Sequence, residues 1–109
     1  MATTYKVLGQ SNPSATTLTT LYTVPSATQA VVSSIVIANL AASSATFRIA
    51  VRPAGASIAN SQYIAYDITV GASDSTVLTL GITLGATDVL SVYASTTTVT
   101  FSAYGSEIA

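Results

Sequence analysis

The sequence predicts an all-β chain of about eight antiparallel strands, folded as a single β-sandwich over residues 1–109 with jelly-roll or immunoglobulin-like Greek-key connections. Three observations predict it. Apolar residues recur with period two rather than 3.6. Turn-forming clusters return at intervals of roughly ten residues. Thr and Val, both β-branched, dominate the runs between them, as a pleated half-buried surface favours.

Tyr5–Gly9 is the first expected strand, with Tyr5 and Val7 on one side. Ser11-Asn12-Pro13-Ser14 turns the chain into Leu18–Val24, which stops at Pro25 because proline has no N–H for a ladder. Gln29–Leu40 is longer and more continuously apolar (Val31, Val32, Ile35, Val36, Ile37), the pattern of a strand covered on both faces. After the Ala41–Ser44 turn, Phe47, Ile49 and Val51 alternate with Arg48, Ala50 and Arg52 in Thr46–Arg52, so both arginines share one face. Pro53-Ala54-Gly55 ends that run, and Ala54–Asn60 has room for one helical turn at most.

In Ile64–Val70 the expected apolar phase is Ile64, Tyr66, Ile68 and Val70, against Ala65, Asp67 and Thr69. The Gly71–Ser75 turn leads to Leu78, Leu80, Ile82 and Leu84, alternating with Thr79, Gly81 and Thr83. Gly85–Asp88 leads to Asp88–Ala94, with Leu90 and Val92 opposed to Val89, Ser91 and Tyr93. Val99, Phe101 and Ala103 alternate with Thr100, Ser102 and Tyr104 in the last strand. No domain boundary or long linker interrupts this series.

Composition narrows the function. His, Cys and Trp are absent, which removes the usual zinc ligands, disulfides, a thiol nucleophile and an imidazole base. Only 6% of residues are charged, namely Lys6, Arg48, Arg52, Asp67, Asp74, Asp88 and Glu107, where an average chain of this length carries roughly 27. With 15 Ser and 18 Thr, hydroxyls supply much of the polar surface. A net charge of −1 offers no basic stripe to a phosphate backbone, so nucleic acid is not an expected partner. The longest apolar stretch, Ala30 to Ala42, is interrupted by Ser33, Ser34 and Asn39 and falls short of the ~20 residues that span a bilayer, so no membrane partner is expected either. No basic segment followed by an apolar run marks a signal peptide at the amino terminus. Weakly charged surfaces tend to associate, so the chain reads either as a subunit that lives inside an assembly or as a neutral, hydroxyl-rich soluble domain.

The chemistry-bearing residues have structural readings. Asp74 and Asp88 lie in turns, where a short carboxylate caps backbone N–H groups. Asp67 has Arg48 or Arg52 as a cross-strand partner, and Glu107 falls in a terminal segment that is either mobile or faces an assembly. A serine nucleophile needs a base, and only Lys6 could serve, without a supporting motif. Calcium would want clustered acids, and these are dispersed. No catalytic residue, metal or cofactor is expected. The candidate interface residues are Arg48, Arg52, Tyr63, Tyr66, Tyr104 and Glu107, because Arg and Tyr are enriched where proteins meet. Tyr63 and Tyr66 are expected on opposite faces of their strand, and so not on one platform.

Leu21-Tyr22-Thr23-Val24-Pro25 followed by Gln29–Asn39, together with Phe47–Gly55, Thr87–Ala94 and Phe101–Ala109, resembles small all-β virion proteins of tailed bacteriophages of the marine and cyanobacterial type. The likeness covers nearly the whole chain, though no motif in it is diagnostic. The resemblance implies a non-enzymatic virion protein, made in the host cytoplasm and carried in the particle. A capsid decoration or cement protein fits best, as a homo-oligomer, commonly a trimer, contacting the major capsid protein. The alternative is a tail, baseplate, neck or fibre component, including a module that binds host-surface glycans. Met1–Thr4 and Ser106–Ala109 are the expected arms for exchange with neighbours.

Overall fold

The computed structural model describes residues 2–109. Eight strands follow one another: β1 (Thr3–Ser11), β2 (Thr19–Thr23), β3 (Gln29–Asn39), β4 (Ala45–Arg52), β5 (Tyr63–Val70), β6 (Ser75–Leu84), β7 (Val89–Ala94) and β8 (Val99–Ile108). Short 3-10 turns at Pro53–Gly55 and Asn60–Gln62 bracket the one stretch where a helical turn was expected.

Two four-stranded antiparallel sheets form, ordered β1-β8-β3-β6 and β2-β7-β4-β5. Each strand of the first half pairs with its counterpart from the second: β1 with β8, β2 with β7, β3 with β6, β4 with β5. The chain is thus one long hairpin with β4 and β5 at its tip, rolled until β8 meets β3 and β7 meets β4. This is the jelly-roll winding, which decides between the two connections the sequence left open.

Alternation sends Phe47 and Ile49 from β4, Ile35 and Ile37 from β3, Leu90 and Val92 from β7, and Val99 and Phe101 from β8 between the sheets, where all are buried. Phe47 and Phe101 meet edge to face across the core at 6.2 Å, a contact worth about 1 kcal/mol beyond the area it buries. At one end Asn39 replaces an apolar residue. Its amide donates to the carbonyls of Ser43 (2.8 Å) and Gly71 (3.2 Å), and its Oδ1 accepts from the Ala41 N–H (3.1 Å) and the Thr98 hydroxyl (3.1 Å), so one side chain ties three connections together.

Four expectations are corrected. In β5 the buried residues are Ala65 and Val70, while Ile64, Tyr66 and Ile68 are exposed. Ile68 keeps the core phase opposite Phe47 but lies on an edge strand, whereas Ile64 and Tyr66 are turned out by a pair of bulges: Ile49 faces Ala65, so Tyr66 and Asp67 together oppose Arg48, and Ile64 is a second extra residue before Tyr63 faces Ala50. In β6, Leu78, Ile82 and Leu84 keep to the core side, but Leu80 turns out beside Gly81, whose φ of 62° marks another bulge. β3 is covered on one face only, since Val31 and Val36 remain half-buried on the outside.

The termini, finally, are not free arms. Thr3 and Thr4 pair with Ile108 and Glu107, and Ala2 and Ala109 exchange backbone hydrogen bonds of 2.9 and 3.0 Å. Met1 lies outside the described residues. Ladder bonds along both termini explain why they are held: a released arm would leave the β8 edge unpaired.

Candidate functional site

The outer face of β2-β7-β4-β5 carries most of the candidate residues. Arg48 and Tyr93 are direct partners across β4 and β7, and the bulge in β5 turns both Tyr66 and Asp67 towards the same arginine. The Arg48 guanidinium lies 4.1 Å from the Tyr66 ring centre and 4.2 Å from that of Tyr93. Its Nε and Nη2 donate to the two Asp67 oxygens at 2.6 and 3.3 Å. These bonds to Asp67 hold the guanidinium protonated even more firmly than usual.

Tyr63 and Tyr66 stand edge to face at 4.9 Å, on one face rather than on opposite faces. The extra Ile64 changes the side-chain phase between Tyr63 and Ala65, which period-two counting does not register. Beside this cluster Ala50 and Ser91 are buried although they belong to the outward phase of their strands. Arg52 does not join the cluster. It bends back on its own chain, donating to the carbonyls of Ala56 (2.8 Å) and Gly55 (3.1 Å) and to Ser91 Oγ (3.4 Å).

Glu107 lies elsewhere, where the two sheets converge at the β1/β2 side. Its oxygens accept from the Tyr22 hydroxyl at 2.5 Å and the Lys6 ammonium at 3.4 Å, so it is a structural tie rather than part of a loose tail. The Tyr22 hydrogen bond, helped by Lys6, holds the Glu107 carboxyl below the usual carboxylate range. Burial first, and then the Glu107 carboxylate, push the Tyr22 hydroxyl well above its ordinary value of 10.0. Asp88 Oδ1 and Oδ2 accept from the N–H groups of Ala54 and Gly85, both at 2.9 Å, and Asp74 accepts from Ser75 N–H at 2.8 Å. All seven charged side chains therefore have partners within the chain.

Tyr104 is on the other sheet, on the outer face of β1-β8-β3-β6, between Val7 and Ser34. The rows across this face run Tyr5-Ser106-Val31-Thr83, Val7-Tyr104-Ser34-Thr79 and Gln10-Ser102-Val36-Val77. None contains a charge. Lys6 and Glu107, the two charges this sheet carries, pair with each other away from these rows, and Glu107 also accepts from Tyr22.

Sequence reasoning missed Tyr93. Tyr93 shares the polar phase of its strand with Ser91, but matching it to Arg48 requires the pairing of β4 with β7. Among the described residues no three His, Cys, Asp or Glu side chains group as a metal site. Among the described residues no helix is long and apolar enough to cross a membrane. The fold and these surfaces define an eight-stranded jelly-roll domain with one mixed polar–aromatic face and one neutral face. The chain matches no protein-family model and no curated protein.

Proposed function

We propose that the chain is a non-enzymatic structural subunit of a tailed-phage virion, acting on the capsid as a decoration or cement protein. The observation that carries this reading is the internal pairing of all seven charges combined with a sheet face that has none. Such a subunit can bury large surfaces against siblings or a shell without stripping water from unpaired charges, which costs several kcal/mol per ion. Each carboxylate is already committed to a cation, a tyrosine or a turn N–H, which supports a structural over a hydrolytic role. Jelly rolls serve viral capsids, lectins and cupins alike, so the fold supports the reading by analogy alone. The place in a virion, the homo-oligomer with a trimer favoured, and contact with the major capsid protein come from the sequence resemblance.

The alternative, a tail, neck or fibre component that binds host glycans, draws on the exposed Tyr66 beside Tyr63. Against it, a sugar stacks on a free aromatic face, and Arg48 already covers Tyr66 and Tyr93. Mass spectrometry and reconstruction of purified virions test the proposal. Many copies on the outer shell are expected; absence of the chain from the particle, or its presence only at the tail tip, overturns the decoration role.

A further inference from the structure

The two long sides of the sandwich differ. On one, β1 and β2 close together, so tightly that a Cβ at Gly9 would run into the Leu21 carbonyl. On the other, β5 and β6 are joined by the Gly71–Asp74 turn but do not otherwise pack closely. Five of the nine large exposed apolar residues fall on these two strands: Ile64, Tyr66 and Ile68 on β5, Val77 and Leu80 on β6.

β6 is an edge strand of ten residues with no charge and no proline, the devices that normally keep such an edge from pairing. The other edges are protected. β1 carries Lys6 and a bulge at Leu8, β5 carries Asp67 and two bulges, and β2 has five residues. Within β6 the bulge comes only at Leu80–Gly81, leaving Ser75–Thr79 in regular register.

We infer that β6 is a strand-addition seam for a second copy of this chain, pairing antiparallel with its own counterpart about a two-fold axis. A strand is the occupant that satisfies a row of free backbone N–H and C=O groups. An identical strand suits this one because Ser, Thr, Val and Leu meet themselves without like-charge repulsion. The size is sufficient. A ten-residue strand spans about 33 Å, and with the 19 Å thickness of the domain the open side offers about 600 Å² per copy. The pair then buries about 1,200 Å², at the lower limit of a stable specific interface. This inference rests on the reading of the chain as a self-associating subunit and assigns one of its contacts. The two-fold seam is distinct from a trimer ring, and both can exist in one assembly.

Sedimentation of the purified chain at micromolar concentration tests it with Val77→Lys/Leu80→Lys. Both positions are exposed, and circular dichroism with thermal melting verifies that the variant is folded. Like charges facing each other across the seam are expected to weaken association by roughly tenfold or more and halve the assembly mass, dimer to monomer or hexamer to trimer. Thr23→Lys, an exposed position on the β2 edge of the other sheet, is expected to leave the mass unchanged. As a second measurement, amide exchange in Thr76–Thr79 is expected to slow as wild-type concentration rises. A folded double variant with the wild-type mass, or concentration-independent exchange in β6, overturns the seam and leaves the subunit reading standing. A wild-type chain that stays monomeric throughout overturns both.

Discussion

Thr87 shows how single residues hold this fold under local strain. Its φ of 67° lies in the left-handed region, where a β-branched side chain is disfavoured, and its N–H must stay there to bond the Val24 carbonyl at 3.0 Å. Asparagine tolerates that backbone without glycine's added freedom in the unfolded chain. Thr87→Asn is therefore expected to stabilise the protein by about 1 kcal/mol, raising the melting temperature by a few degrees in a calorimetric scan. The Tyr22–Glu107 pair sets the response to pH. Because the folded Glu107 pKa is below 4.5, its contribution is complete above that pH and is lost as pH falls through the lower folded value. Because the folded Tyr22 pKa is above 10.0, its contribution is complete below that pH and is lost as pH rises towards the folded value. Urea unfolding across pH should show both declines, and Tyr22→Phe should flatten both. An unchanged profile in that variant would remove the pair from the account.

At the level of elements, close strand approach and bulges carry the specificity. Gly105 in β8 lies so near β3 that a Cβ would run into the Val31 carbonyl. Gly105→Ala is expected to destabilise by about 2 kcal/mol, read as a lower urea midpoint, because the obstacle is backbone and cannot rotate away. The strands whose two phases differ in chemistry were legible in the sequence: Phe47, Ile49 and Val51 against Arg48, and Val99, Phe101 and Ala103 against Ser102. β5 was not, because its bulges reverse the phase without a glycine or proline to announce them. Asp67 adopts φ 51° as an ordinary aspartate, held there by Arg48. The Asp67 pairing with Arg48 was foreseen as one of two options, yet the stack with Tyr93 depends on β4 lying beside β7, a contact between strands distant in the chain. Arg48→Lys would keep the charge but lose the planar stack and the paired bonds. A lower denaturation midpoint is expected from that change, measured by denaturant titration.

For the whole molecule, the low charge acquires a spatial meaning. A surface of 5386 Å² carries seven charges, and they are confined to turns, to the edge near Tyr22 and to one sheet face. The neutral face of β1-β8-β3-β6 and the open β5/β6 side are left for association driven by apolar contact and backbone hydrogen bonding. Such association should be insensitive to screening, unlike a contact between charged patches. The most direct test is sedimentation of the pure protein over a range of concentrations, repeated from about 0.1 to about 1 M salt, where the screening length falls from about 10 to about 3 Å. The account expects reversible self-association that persists or strengthens at high salt. A monomer at every concentration, or an assembly that dissociates as salt rises, would contradict it.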